Sequence, residues 1–516
     1  MIAVPENIPD LLARRRTWRP EAIALEGRSG TLTYQQLDAA ASCAAGALYG
    51  RGIRPGDRIA VCLPNDVAIV VAFYAAMRLG AVWVGIGGAL AGPEKRRLIA
   101  HSAPRLVLAT PEVAAEVGDQ AAIVSVVTDD PNDEWAALLG AGLEAPHIDI
   151  DAHAPAGIAY TSGTTGAPKG IVHSQHNLLV PGTVVVAERG YGAALRKGDC
   201  LPLTILNVMV LSALLTAAAG GRCVAMDRRD ARGVAEWIRE SQLTVWNGVP
   251  TQLADLIRDD TVSRKDLQSL QEVWCGGAGC RDDLRLAFDE KFGHPVRATY
   301  GLTEVPTIVT MDPVGDQWKP GASGRTLPHL RLTIRGENDD EVAPGVAGEL
   351  CVAAHTQGRW AGVWTPMLGL WGDGGVDPNP HGSLHTGDLG TIDRAGWVRV
   401  LDRSKLLIVR GGANVYPSEI ETILLAHPSV TGAAVFGVAD DRLGEKVAAL
   451  VEIDGGSPRP SGDDLTALCA SQLARYKVPE TWGFVDVLPR NAMGKIIRSD
   501  LAPMLDSALQ PKDVHA

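Results

Sequence analysis

Hydrophobic positions in the first third of the chain switch between two spacings. Leu37, Ala41, Ala44 and Leu48 recur at the interval of one helix face, and Gly52 marks a stop. The turn sequence at 54–58, Arg-Pro-Gly-Asp-Arg, opens onto the apolar run 59–63, which predicts a buried strand. A second helix is predicted over 66–79, ended by Gly80, and a second strand over 81–85. Strand and helix in alternation imply a mostly parallel sheet covered by helices. The same rhythm returns across 155–310.

From about residue 320 the texture changes. Short strands, at 331–335 and 348–353, stand between Gly, Pro and Asp turns, so a β-rich subdomain is expected. Beyond residue 402 the pattern predicts a helix over 418–426, strands over 433–438 and 446–453, and a helix over 463–474. The fold class expected is α/β. A large N-terminal domain, 1–402, combines two βαβ-type sheet subdomains with the β-rich one, and a small α+β domain occupies 403–516. No internal repeat is found.

Length supports several cores. At roughly 150 residues per domain, 516 residues make three or four core units. Hydrophobic residues at 46% and charged residues at 21% describe a globular chain, not a disordered or fibrous one. The net charge of −12 comes without a long Lys/Arg run, which removes the electrostatic footprint of a nucleic-acid binder. An acidic protein can still hold polyphosphate through local backbone N–H groups and a few lysines. Cys43, Cys62, Cys200, Cys223, Cys275, Cys280, Cys351 and Cys469 form no Cys-x-x-Cys pair. Free thiols in a reducing compartment are expected, not a disulfide frame or a zinc site. The N-terminus lacks the order of a signal peptide, and no run of about 18 apolar residues could span a membrane. A cytoplasmic protein is expected. No heptad run or apolar edge specifies a homo-oligomer, and the sequence leaves that state open.

The strongest chemical signal is the string at 160–170, Tyr-Thr-Ser-Gly-Thr-Thr-Gly-Ala-Pro-Lys-Gly, which follows the apolar stretch 157–159. Its glycines allow tight turns, Thr161, Ser162, Thr164 and Thr165 add hydroxyl donors, and Lys169 adds positive charge. Such a loop can wrap an anion. It is not a Walker A loop, because Pro168 stands before the lysine and no Gly-Lys-Ser/Thr follows. A lone Gly/Thr loop could equally be a polar surface turn, but a string this long is far more specific.

With that string the chain resembles the adenylate-forming superfamily of acyl- and aryl-CoA ligases, luciferases and adenylation domains, and within it the acyl-CoA synthetases. The resemblance spans nearly the whole chain. Thr31-Leu32-Thr33-Tyr34, Pro64-Asn65, the 173–177 segment His-Ser-Gln-His-Asn, Gly276-Gly277-Ala278, Tyr300-Gly301-Leu302-Thr303-Glu304, Thr386-Gly387-Asp388, Asp402-Arg403 with Lys405, Gly411-Gly412, and Gly494-Lys495 with Arg498 occur in family order.

The resemblance implies ATP and coenzyme A as co-substrates, Mg²⁺ as metal, and a carboxylic acid as the third partner. Thr161, Ser162, Gly163, Thr164, Thr165, Gly166 and Lys169 would bind the ATP phosphates. Gly277, Ala278, Tyr300 and Gly301 would flank adenine, Thr303 the α-phosphate, and Asp388 and Arg403 the ribose. Lys495, Thr165 and Glu304 would be catalytic. The chemistry agrees with this. A carboxylate attacking the α-phosphate brings two anions together, so cations must offset the repulsion. Glu304 suits Mg²⁺, which prefers oxygen donors. The Lys495 ammonium can bridge the carboxylate and the α-phosphate in the transition state. Its loop would then block the thiol, so the resemblance makes the C-terminal domain mobile about a hinge at Lys405, with Gly411 and Gly412 along the pantetheine arm.

The acid pocket departs from the family. Pro202-Leu203-Thr204-Ile205-Leu206-Asn207 lacks the aromatic and the His that many relatives carry there, and the small segment 275–279 lies on the same side. A medium-sized aliphatic or alicyclic acid is expected, and with it a place in fatty-acid or lipid metabolism. An aryl-acid or carrier-protein-directed adenylating enzyme is the alternative. No acidic residue stands out to pair with a substrate amino group, and no carrier domain is expected behind Lys495.

Overall fold

The computed structural model describes residues 4–118, 121–127, 130, 133–161, 169–315, 318–372, 375–379, 382–403, 406–410, 413–440, 442–456, 458–491 and 494–509. The chain forms two compact units, Met1–Arg331 with Val352–Leu384, and Leu332–Cys351 with His385–Ala516. Among the described residues, the first unit holds an eight-stranded and a nine-stranded sheet.

The eight-stranded sheet is parallel through Pro155–Thr161, Val82–Gly85, Arg58–Cys62, Leu106–Ala109 and Ala122–Ser125. Its other edge is antiparallel, through Lys169–Ser174, Gly369–Gly372 and Gly375–Pro378. The central strands are apolar on both faces because helices cover both; Leu106–Ala109 is buried throughout. The helices start where the sequence places their caps. Thr33 and Gln36 form a capping box for Tyr34–Gly50, and the Asp66 side chain caps Val67–Arg78.

The nine-stranded sheet is parallel from Ile23–Gly27 through Arg222–Ala225, Arg196–Asp199, Val245–Gly248 and Glu272–Cys275 to Val296–Leu302. Its N-terminal strand therefore pairs with a strand nearly 200 residues later in the chain. Arg222 and Ser241 reach the same carboxylate on that strand, Glu26, at 2.7 Å each. At Gly85 an added Cβ would sit 1.7 Å from the Thr204 carbonyl oxygen, so the 202–207 segment lies directly on the end of a strand of the eight-stranded sheet.

The second unit carries a four-stranded sheet in the order Leu330–Arg335, Gly348–Ala354, Ser383–Ile392, Val398–Arg403, with the ends of its first three strands in the first unit. An α+β layer follows. Its sheet centres on Val430–Asp440 and Gly444–Ile453, packed by helices Pro417–Leu425, Gly462–Ala470 and Leu501–Leu509. These layers agree with the expected fold class. The helix expected over 463–474 ends at Ala470. There the Ser471 hydroxyl donates to the Leu468 carbonyl at 2.7 Å, a local bond that competes with helix continuation. All eight cysteines are free thiols.

Candidate active site

The 160–170 string begins on one of two antiparallel strands and ends on the other. Pro155–Thr161 and Lys169–Ser174 pair so that Thr161 faces Lys169 in register. Ser162, Gly163, Thr164, Thr165 and Gly166 lie outside the described residues. The strand ends are fixed from both sides. The Tyr160 hydroxyl and His101 Nδ1 are 2.8 Å apart, and Trp371 Nε1 donates to the His101 carbonyl at 3.1 Å. Between them Gly170 leaves no room for a side chain: an added Cβ would lie 3.0 Å from Trp371 and 2.9 Å from Ile158.

The strand carrying Lys169 also holds the Thr303 turn. His173, fully buried on Lys169–Ser174, places Nε2 at 2.8 Å from the Thr303 carbonyl oxygen. A carbonyl only accepts, so Nε2 carries the proton and donates. Burial pushes the His173 pKa down to about 4, so the ring is neutral. Thr303 and Glu304, both half-buried, stand in the tight connection between Val296–Leu302 and Thr307–Met311. Gly301 is required there, because an added Cβ would lie 1.9 Å from the Thr307 carbonyl oxygen. Thr307 itself has φ +147, a conformation that β-branched residues avoid, and its buried hydroxyl has no hydrogen-bond partner. Strain thus sits beside the expected phosphate and metal ligands.

Tyr300 is half-buried on the same strand. Gly276 and Gly277 follow the neighbouring strand Glu272–Cys275. The first is pressed against Thr299 Oγ1, where a Cβ would come to 2.3 Å, and the second has φ +79; Ala278 is exposed. Sequence reading missed a polar cluster on the next strands. Lys197 and Asp199 form a fully buried ion pair on Arg196–Asp199. Ser212 Oγ donates to Asp199 at 2.6 Å, Asn247 Nδ2 donates to it at 3.2 Å, and the Lys197 ammonium lies 5.2 Å from the Trp274 ring centre. Ser212 stands in a π-helical turn, Val210–Leu214, of the helix that begins at Leu206. The Thr204 hydroxyl and Asn207 Oδ1 are buried without partners just before it.

The remaining candidates lie in the second unit. Gly387 has φ +71 and donates its N–H to Glu349 Oε1 at 2.8 Å. Thr386 Oγ1 donates to the Leu350 carbonyl at 2.8 Å and accepts the Asp388 N–H at 3.1 Å. The buried Asp388 pairs in register with Arg403 across antiparallel strands. Lys405, Gly411 and Gly412 lie outside the described residues. Asp402, beside that hinge candidate, accepts the N–H of Ser418 at 3.0 Å at the start of helix Pro417–Leu425. Lys495 is exposed on a turn closed by Asn491, whose Oδ1 accepts the Lys495 N–H at 3.0 Å and whose N–H donates to the Lys495 carbonyl at 2.8 Å. Gly494, with φ +73, makes that turn accessible. Arg498 is a strut: it holds Glu421 at 2.8 Å and the Val435 carbonyl at 2.5 Å.

Two family models match, the AMP-binding enzyme over residues 12–359 and the AMP-binding enzyme C-terminal domain over 419–495. The chain belongs to the AMP-binding enzyme family. It is an enzyme of the AMP-forming acid–CoA ligase type. It is similar to a feruloyl-CoA synthase from Amycolatopsis sp, 31% identical over 95% of this chain and 97% of that one. It is also similar to a fatty acid–[acyl-carrier-protein] ligase of Streptomyces coeruleorubidus, 31% identical over 93% and 92%. Among solved structures it resembles ATP-bound MatB from Rhodopseudomonas palustris, with a TM-score of 0.85 and 29% identity over 96% and 98%. Among the described residues no helix is long and apolar enough to cross a membrane.

Proposed function

We propose that this enzyme joins a medium-sized hydrophobic acid, aliphatic or alicyclic, to coenzyme A in two steps. The acid carboxylate attacks the ATP α-phosphorus and pyrophosphate leaves. The CoA thiol then attacks the carbonyl of the acyl-adenylate and AMP leaves. One observation supports the phosphate roles most: His173, four residues past Lys169, ties the Thr303 carbonyl to the strand that bears the lysine. Two strings that each suit phosphate are thereby held in one hydrogen-bonded frame, ready before ATP arrives.

In this reading Thr161, Lys169 and the loop hydroxyls hold the phosphates, Thr303 bonds the α-phosphate, and Tyr300, Gly277 and Ala278 flank adenine. Asp388 accepts from the ribose hydroxyls, with Arg403 beside it in register. The half-buried Glu304 carboxylate, on a turn anchored by its neighbour, fits the all-oxygen donor set that Mg²⁺ takes. When bound, Mg²⁺ would supply positive charge against the phosphates. Lys495 offsets the charge that develops between carboxylate and phosphate. The 403–516 domain then turns about Lys405, withdrawing Lys495 and bringing Gly411 and Gly412 along the pantetheine arm.

A second reading of the acid has its own support. The Thr204 hydroxyl and Asn207 Oδ1 are buried polar atoms without partners. Such atoms are costly unless a ligand satisfies them. A hydroxylated aryl acid would do so, and the feruloyl-CoA synthase from Amycolatopsis is similar in sequence. A panel of aliphatic, alicyclic and hydroxylated aryl acids, each with ATP and either CoA or a phosphopantetheinylated carrier protein, tests both. Acid-dependent pyrophosphate release and thioester mass are the readouts. The leading reading expects CoA thioesters of the aliphatic or alicyclic acids. Turnover confined to aryl acids, or to the carrier protein, overturns it.

A further inference from the structure

Glu349 and Cys351 stand two residues apart on Gly348–Ala354, and so on one face of the strand. His385 projects from the adjacent strand, Ser383–Ile392. Its Nδ1 lies 3.4 Å from Cys351 Sγ and 3.0 Å from Glu349 Oε2. One ligand atom from each of the three residues falls within 4.8 Å of the others. All three belong to the same compact unit.

We propose that Glu349, Cys351 and His385 form a binding site for a borderline-soft divalent ion of the Zn²⁺ type. The donor set is one sulfur, one imidazole nitrogen and one carboxylate oxygen, which suits Zn²⁺ and not Mg²⁺. The geometry agrees. With Zn–S near 2.3 Å and Zn–N and Zn–O near 2.0–2.2 Å, the ligand-to-ligand edges of a tetrahedron come to roughly 3.3–3.7 Å. The observed 3.0 and 3.4 Å edges from His385 need only small side-chain rotations to match, and the third edge, between Cys351 and Glu349, is within 4.8 Å.

A carboxylate stands near the far side of the imidazole. His385 Nε2 lies 3.7 Å from Asp339 Oδ1. That is beyond hydrogen-bond length, and a rotation of the exposed Asp339 side chain would bring the carboxylate onto the second ring nitrogen, the arrangement that orients metal-bound histidines and raises their basicity. Asp339 holds that position on a turn with φ +63, a conformation aspartate tolerates better than most residues. Access is open, because the His385 side chain is 46% exposed while Cys351 forms a buried floor. Three protein ligands leave a fourth position for water.

The site is wired to the nucleotide machinery proposed above. Glu349 would bind the ion through Oε2 while Oε1 keeps the Gly387 N–H, directly before Asp388. An occupied site would stiffen the turn that presents Asp388 to ribose. This consequence rests on the proposed ribose role, whereas the metal site does not.

The test is titration of the full-length, chelator-treated protein with Co²⁺ and then Zn²⁺. One equivalent of Co²⁺ is expected to give a thiolate-to-cobalt charge-transfer band, which one equivalent of Zn²⁺ abolishes. C351S should lose the band. H385Q and D339N should weaken Zn²⁺ binding, the latter by about 10–100-fold. The melting temperature without metal reports whether each variant folds, and H385Q, on a half-exposed side chain, keeps the test open if C351S does not. Absence of a band, or Zn²⁺ affinity equal in folded C351S, H385Q and parent, overturns the site. ATP KM with and without Zn²⁺ tests the ribose link separately. Binding without a KM change removes the link and leaves the site.

Discussion

The neutral, fully buried His173 donates from Nε2 to the Thr303 carbonyl oxygen at 2.8 Å. This bond ties the strand that begins at Lys169 to the turn that carries Glu304. Removing the donor in His173→Phe leaves a buried carbonyl to find another partner, at a cost of about 1–3 kcal/mol. The variant should fold with a lower melting temperature. Its kcat/KM for ATP should fall by about tenfold or more as Thr303 and Glu304 lose their register. A variant that is destabilised but keeps full kcat/KM would make His173 a core residue and nothing more.

The same burial sets a pH dependence of stability. His173 and His329 are held neutral in the fold, with pKa values pushed down by desolvation to about 4 and about 3. In the unfolded chain both titrate near 6.5. The unfolded state therefore takes up protons first as pH falls. The stabilisation is complete above about 6.5 and is lost between there and about 4 for His173 and about 3 for His329. His173 contributes on the order of 3 kcal/mol to that loss. Urea unfolding from pH 7 to pH 4.5 should show the decline, and His173→Phe should flatten it. Equal slopes in parent and variant would count against the assignment.

Gly301 and Gly192 make a matched pair. An added Cβ at Gly301 would sit 1.9 Å from the Thr307 carbonyl oxygen, while one at Gly192 meets nothing within 4 Å. Gly301→Ala must open the connection that holds Thr303 and Glu304. Acid-dependent pyrophosphate release should fall at least tenfold, with a lower melting temperature. Gly192→Ala should behave as parent in both assays.

Lys495 is exposed, so Lys495→Ala should leave the melting temperature unchanged. Adenylation should fall by about 10²–10³. Thioester formation from preformed acyl-adenylate should largely survive, because that step has no use for the lysine. Equal loss in both half-reactions would defeat the two-conformation mechanism.

The buried pair on the central strand offers a double-mutant cycle. Lys197→Met leaves the Asp199 carboxylate buried without its cation, and Asp199→Leu leaves the ammonium, each at about 3–5 kcal/mol. Combined, they should regain much of that loss in urea unfolding, because a well-packed apolar pair can replace a buried ion pair at little cost. Additive losses would mean that Ser212 and Asn247, not the pairing, carry the energy.

Local chemistry was readable in the sequence, and long-range pairing was not. The spacing of Leu37, Ala41, Ala44 and Leu48 and the stop at Gly80 announced two helices because helix periodicity acts within a few residues. The 160–170 string and Tyr300 to Glu304 stood out because glycines and hydroxyls are packed tightly there. Arg196–Asp199 escaped notice because Arg-Lys-Gly-Asp reads as a turn. Pairing with Arg222–Ala225 and Val245–Gly248 makes it a central strand, and its charges are satisfied there because Lys197 pairs with Asp199, which also accepts from Asn247 on the neighbouring strand. Lys169–Ser174 was missed as an antiparallel strand because its register depends on Pro155–Thr161 across the loop. Glu349 gave no signal, since its tie to Gly387 joins residues 38 positions apart. The His173 bond to Thr303 spans 130 positions, so the motif was visible in sequence and its mechanical role was not.

The pairing of Ile23–Gly27 with Arg222–Ala225 has a consequence for synthesis. Ile23–Gly27 must wait for nearly 200 residues before its parallel neighbour leaves the ribosome. During that interval its partner among the described residues is Gly30–Thr33, in an antiparallel hairpin, and its other edge is still unpaired. The nascent chain therefore carries an adhesive strand through much of its translation. Chaperone demand, and misassembly on stalled ribosomes, should concentrate on intermediates that end before about residue 225.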